Sequence, residues 1–404
     1  MNILQINKFY SPAGGADQYM LELSQALKER GHTVVPFAMA HPENLPTSWS
    51  QFFPSFVETE NMSGIKSGFK TLGRLFYSRE AQQKLEALLA EFTPDVAHVH
   101  NIYHQLSPSL LTTLAKHHIP IVLTAHDHKL VSPLYTLEER DTALVGRPWK
   151  QAWDILLHRR FRASLTASVI VVLETALHRV LKLYRHVTTI VAPSICMRDL
   201  LLRAGYPVDR IRMISHGIAS PRVEGVERKD HVLFVGRLKW EKGCDVLLEA
   251  ARRVPQARIR IIGTGPDEDQ LKAFAQTHGL TNVQFLRHVP HEHIFEHMSR
   301  ARGVIVPSRF VEPFGLSALE AAACGTPVIA SRIGALPEIV QDHVTGLLFE
   351  PKNPADLAAK MQWALDHPAS FAKFGESARI HSEGFTFARH VDSILHLYAD
   401  VAHA

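Results

Sequence analysis

Glu312 and Glu320 stand with seven residues between them, in Glu312-Pro-Phe-Gly-Leu-Ser-Ala-Leu-Glu320, and Gly325-Thr326-Pro327 follows. Pro313 and Gly315 hold Glu312 in an entry loop. A helix then runs through Leu316-Ser-Ala-Leu-Glu-Ala-Ala-Ala323, with Gly325 to stop it and Pro327 to prevent its continuation. The spacing puts Glu312 just before the helix and Glu320 in its second turn. The amides of Gly315, Leu316 and Ser317 lie between the two acids. Free helix N-terminal amides attract phosphate, and flanking carboxylates accept hydrogen bonds from sugar hydroxyls. A ligand that is part phosphate and part sugar is a nucleotide-sugar. The bland alternative is two surface acids. The small-residue helix argues against it, because a surface helix carries more charge and a carboxylate on a packed helix needs a partner.

Arg237 and Lys242, in Gly236-Arg-Leu-Lys-Trp-Glu-Lys-Gly243, come next in weight. A strand-end arginine and a lysine before the following helix could clamp one diphosphate, the first as a planar fork and the second as a point charge. As a bare pair they could equally be solvated cations; the flanking glycines favour function. His126, in Thr124-Ala-His-Asp-His128, could contact the sugar at the reacting carbon. His98, His100, His104, His126 and His128 could also be read as a metal site, but no carboxylate or thiolate completes a standard ligand set. Asp267-Glu-Asp269 opens a helix, where the dipole favours acids, and Gly263-Thr-Gly265 lacks the third glycine of a dinucleotide fingerprint.

These residues need elements to position them. Apolar runs alternate with helical patterns along the chain, which predicts α/β architecture with parallel sheets. Strands are expected at Asn2–Ile6, 33–39, 95–99, 119–124 and 188–192, and in a second series at 231–235, 258–262, 283–286, Gly303–Val306 and 328–330. Val169-Ile-Val-Val172 favours a strand locally, but the wider helical period predicts helix over 160–184. Most unusual polar or glycine-rich segments fall just after a strand, where doubly wound folds bind ligands. The expected units are 1–190, 191–386 and a C-terminal helical segment, 387–404, with 217–230 as the connection.

The 404 residues include 44 basic and 40 acidic ones, a balance that does not suggest nucleic-acid binding. Three cysteines without paired spacing fit a reducing compartment. The N-terminus has no basic n-region, and no apolar run approaches the ~20 residues of a membrane span. A cytoplasmic enzyme is the default expectation. Two basic amphipathic segments, 63–79 and 147–162, could lie on an anionic membrane surface or be ordinary solvated helix faces.

The motifs together resemble a family-4-type retaining glycosyltransferase (glycosyl transferases group 1) of the GT-B fold. The resemblance runs over nearly the full length. It rests on Gly14-Gly15, Thr124-Ala-His-Asp127, Ala192-Pro-Ser194, Gly236 to Gly243, Gly263-Thr-Gly-Pro266 and Pro307-Ser…Glu312 to Glu320. It implies two doubly wound Rossmann-like units facing across a deep crevice, with the C-terminal helix crossing back to the first. It implies a nucleotide-diphosphate donor, UDP- or GDP-linked, and no divalent metal or other cofactor. Glu320 would bind the ribose, and Glu312 the sugar hydroxyls. Arg237 and Lys242 would hold the diphosphate with the amides after Gly315 and with Gly15. His126 would face the transferred sugar, and main-chain groups near Arg287 and His288 would read the base. Gly263, Phe314 and Leu316 complete the donor side. Catalysis would rest on His126, Glu312, Arg237 and Lys242. Tyr103 and His104 are the acceptor-side candidates, for an acceptor such as a lipid-linked saccharide used in polysaccharide or glycolipid synthesis. A sugar-nucleotide epimerase, a phosphorylase or a non-catalytic sensor on the same fold are the competing readings.

Overall fold

In the computed structural model the described residues are 1–12, 14–56, 73, 76–104, 106–219, 230–287 and 289–403. They form two six-stranded parallel sheets. The first contains β1 (Asn2–Ile6), β2 (Thr33–Phe37), β3 (Val96–Val99), β4 (Ile121–Thr124), β5 (Thr189–Ala192) and β6 (Ile211–Met213), in the order β2-β1-β3-β4-β5-β6. The second contains β7 (Val232–Val235), β8 (Ile259–Ile262), β9 (Val283–Phe285), β10 (Gly303–Val306), β11 (Val328–Ser331) and β12 (Gly346–Phe349), in the order β12-β11-β10-β7-β8-β9.

The central strands are apolar on both faces because helices cover both, as parallel sheets require. β3, β4, β10 and β11 are buried along their whole length. The order reverses between β1 and β3 in the first sheet and between β7 and β10 in the second. Such reversals open crevices at the carboxyl ends of the strands. The loops after β1, β3, β7 and β10 are therefore the ones the fold makes available to a ligand.

Two corrections concern boundaries. The expected division at 190/191 falls inside β5, and β6 pairs with β5, so the first sheet continues to Met213. Residues 220–229 of the expected connection 217–230 lie outside the described residues. Over 160–184 helical periodicity prevails, but only across Leu165–Val180. Ser164 caps this helix by accepting from the Ala167 amide, and Ser168, Val171, Glu174 and His178 form one inward face. That face overrides the local strand preference of the valine-rich run.

The last helix, Phe387–Ala402, packs on the first unit. Tyr398 Oη lies 2.5 Å from His98 Nδ1 on β3, and Tyr19 Oη lies 2.8 Å from His390 Nε2. Of the basic segment 63–79, residues 63–72, 74 and 75 lie outside the described residues. Among the described residues no helix is long and apolar enough to cross a membrane.

Candidate active site

The loop after β10 carries the paired acids. Ser308 follows the strand, and Glu312 lies four residues on, buried. Its Oε1 accepts from Ser308 Oγ at 2.6 Å and from Lys242 Nζ at 2.8 Å. Lys242 ends the short helical turn Trp240–Lys242 after β7, and its ammonium lies 4.8 Å from the Phe310 ring centroid. The two loops at the reversal point of the second sheet are thus joined by an ion pair. The partner that burial demands for Glu312 is Lys242 itself, which the sequence reading gave to the diphosphate.

Three glycines shape this corner. A Cβ on Gly243, at φ +70°, would lie 1.8 Å from the Pro307 carbonyl oxygen. A Cβ on Gly334 would lie 2.3 Å from the Glu312 amide nitrogen, and the Ala335 amide donates to the Glu312 carbonyl at 2.9 Å. Gly315, at φ +98°, is the N-cap of the helix Leu316–Ala323, on which Glu320 is half-buried in the second turn. Arg237 is exposed at the end of β7. Gly263 packs against the neighbouring loop, since its Cβ would meet the Gly236 oxygen at 1.9 Å. Arg287 follows β9 and is exposed, while His288 lies outside the described residues.

Across the crevice, Gly15 opens the helix Gly15–Glu29. Among the described residues nothing stands within 4 Å of where a Cβ on Gly15 would lie. His126 sits just past β4, partly exposed. Its Nε2 lies 3.0 Å from His100 Nδ1, and His100 Nε2 lies 2.7 Å from Gln5 Oε1. With Gln5 Oε1 as the acceptor, His100 donates through Nε2 and receives from His126, which leaves the lone pair of His126 Nδ1 for a ligand hydroxyl. Burial, with a contribution from His390, lowers the His126 pKa to about 3, so the ring is neutral at pH 7.

His216, which sequence reading missed, stacks on His126 at 5.4 Å and 7° and meets the Phe314 ring edge-on at 5.1 Å. It links the first unit to the paired-acid loop. The same loop meets the first unit through Ser194 Oγ, which donates to the Pro313 carbonyl at 2.6 Å, and through the Val311 amide, which donates to the Leu137 carbonyl at 2.7 Å.

Tyr103 and His104 follow β3 on the same edge. His104 Nδ1 is 2.8 Å from Glu174 Oε1, and Lys129 Nζ donates to Glu174 Oε2 at 3.0 Å. Burial raises the Glu174 pKa, but Lys129 and His104 outweigh it and bring it to about 2. Tyr103 Oη and His104 Nε2 are buried without a hydrogen-bond partner among the described residues. The histidine set considered as a metal site is divided: His98, His100 and His126 serve one network, His104 pairs with Glu174, and His128 hydrogen-bonds Tyr135. Among the described residues no group of three or more potential ligands is arranged to hold a metal ion.

Two doubly wound sheets with polar loops facing at their reversal points define a GT-B glycosyltransferase. The chain belongs to the glycosyl transferases group 1, whose family model matches residues 219–381, with Glycosyltransferase Family 4 matched over 13–220. It is 30% identical to a D-inositol 3-phosphate glycosyltransferase of Geodermatophilus obscurus over 96% of this chain and 85% of that protein. It is 34% identical to a glycogen synthase of Mycobacterium tuberculosis over 49% of this chain and 50% of that one. Among solved structures it resembles sucrose-phosphate synthase from Thermosynechococcus elongatus, with TM-score 0.73, 20% identity and 99% and 98% of the two chains covered. It also resembles Anabaena HepE in complex with UDP-glucose, with TM-score 0.69, 18% identity and 99% and 100% covered.

Proposed function

We propose that this glycosyltransferase moves a hexosyl group from a UDP- or GDP-linked donor to an acceptor hydroxyl with retained anomeric configuration, in cytoplasmic synthesis of a cell-surface polysaccharide, glycolipid or related glycoconjugate. The observation that carries this reading is the buried Glu312 held by Lys242 and Ser308 at the reversal point of the second sheet, in a loop that His216 links to His126 through Phe314. The likeness to HepE solved with UDP-glucose supports the donor class. Glu320 takes the ribose and Glu312 the sugar hydroxyls. Arg237, Lys242 and the amides after Gly315 take the diphosphate charge, a role that otherwise falls to a divalent ion. Neutral His126 accepts from a sugar hydroxyl.

The bond from the anomeric carbon to the diphosphate oxygen breaks as the acceptor oxygen bonds that carbon on the same face. The acceptor proton passes to the leaving phosphate oxygen. A trapped covalent glycosyl-enzyme would sink this route. Thermal stabilisation by UDP-, GDP- and ADP-sugars identifies the donor. NMR of the product then reads the anomer. Donor alone should give only slow hydrolysis, which separates transfer from epimerisation and phosphorolysis. Unchanged donor affinity in Glu320→Ala would overturn the ribose assignment.

A further inference from the structure

Two helices of the first unit, Pro148–Leu157 and Leu165–Val180, pack against each other through Ile155 and Val171. Their outward faces are apolar. Trp149, Trp153 and Leu157, one helical turn apart, are 81%, 72% and 74% exposed. Leu165, Val169 and Leu173 repeat the spacing on the second helix and are also exposed. Isolated surface leucines need no explanation, but two outward ridges that include two tryptophans do.

The charge around them has one sign. Arg147, Lys150, Arg159, Arg162, Lys182 and Arg185 are exposed. Between residues 147 and 185 the only acids are Asp154 and Glu174, and both are turned to partners: Asp154 to Arg160, and Glu174 to Lys129 and His104. A symmetric pairing of two copies would bring like charges together. A surface of anionic headgroups satisfies both features: tryptophan and leucine enter the acyl boundary, and the cations meet the phosphates.

We propose that this helix pair docks the protein on an anionic membrane surface. Glu174 projects from the inner side of the second helix to His104, so the docked face lies directly behind the candidate acceptor wall. A lipid-linked acceptor would then enter from the membrane side, a consequence that rests on the proposed transferase function, whereas docking itself does not.

The test is flotation of the full chain with phosphatidylglycerol–phosphatidylcholine vesicles, beside phosphatidylcholine alone. The expected result is binding to the anionic vesicles only, weakened by salt, with a blue shift of tryptophan emission. The triple variant Trp149→Ser, Trp153→Ser, Leu157→Ser should bind about tenfold or more weakly. The charge variant Arg159→Glu, Arg162→Glu, which leaves the apolar ridges intact, should also bind more weakly. Thermal stabilisation by whichever of UDP and GDP stabilises the wild type reports folding and the donor site in every variant. Wild-type protein that stays with the soluble fraction, or variants that float as well as wild type, overturn the proposal. So does a wild-type dimer that the triple variant dissociates, because the ridges would then serve a second copy. A wild type that neither UDP nor GDP stabilises would strike the donor reading and leave docking standing.

Discussion

At the scale of single residues, the pair Lys242–Glu312 does two things that pull apart on mutation. Glu312 is buried, and Lys242 is its only cationic partner among the described residues. Truncating Lys242 leaves a buried carboxylate held by Ser308 alone, which is costly because an uncompensated buried charge has lost its water. Lys242→Ala should therefore lower stability by about 1–3 kcal/mol and turnover by about a hundredfold. Adding Glu312→Gln removes the stranded charge, so the double variant should regain much of the stability and none of the turnover. Urea denaturation and steady-state kinetics on the four proteins of the cycle separate these effects. A double variant no more stable than Lys242→Ala would show that the stranded Glu312 charge is not what destabilises Lys242→Ala. Glu312 was legible because Pro313, Gly315 and the small-residue helix mark it locally. Its supports were not: Gly334 stands 22 residues downstream and touches it only after folding, and His216 sits in a segment with no motif around it.

Among elements, the chain announces its central strands and conceals its edges. β3, β4, β10 and β11 are continuous apolar runs buried between helices, and their positions follow from sequence within a residue or two. β6 escapes notice because an edge strand needs less apolar surface, and β12, though buried along its length, because it is only four residues long and opens on a glycine. β6 has three residues, of which Arg212 and Met213 are exposed, and β12 begins at Gly346. The turns that place Lys242 and Glu312 depend on backbone approach instead of pattern. Gly243 illustrates this, because the Pro307 carbonyl occupies the space where its side chain would be. Gly243→Ala should cost about 2 kcal/mol or more, combining a left-handed backbone with a steric clash. Gly279→Ala is the matched control: φ there is +61° and nothing lies within 4 Å, so its cost should stay near about 1 kcal/mol. Equal losses in urea denaturation would show that the Pro307 contact carries no energy. Gly243→Ala should also lower kcat, since it displaces the Lys242 ammonium, while the control should not.

The whole molecule is joined by a buried polar network where the two units and the last helix meet. His98, His100 and His126 come from the first sheet, His216 from the segment leaving it, and His390 from the returning helix. Burial holds His98, His100 and His216 well below the usual imidazole range, and it lowers His390 to about 4 and His126 to about 3. His390 contacts Tyr19 and the Ser215 carbonyl, and His98 contacts Tyr398 and Thr124, so the network closes on hydroxyls and amides. All five rings are therefore neutral in the folded protein at pH 7. The unfolded chain titrates them near about 6.5. Below that pH the unfolded state binds protons that the folded state refuses. Stability is full above about pH 6.5 and falls as pH drops toward the folded values, by up to about 1.4 kcal/mol per pH unit for each histidine. The melting temperature should drop sharply between pH 7.5 and 5.5, and added salt should not restore it, because desolvation and not screened repulsion sets the shifts. His100→Gln, which keeps a polar side chain, should flatten the profile even if it lowers stability at pH 7.5. Separation of the units should lead the loss, since His216 and His390 lie on the segments that pass between them, and small-angle scattering at pH 5.5 would register it as expansion before helix content falls. A melting temperature that does not change over this range would mean that these rings carry their protons into the folded state.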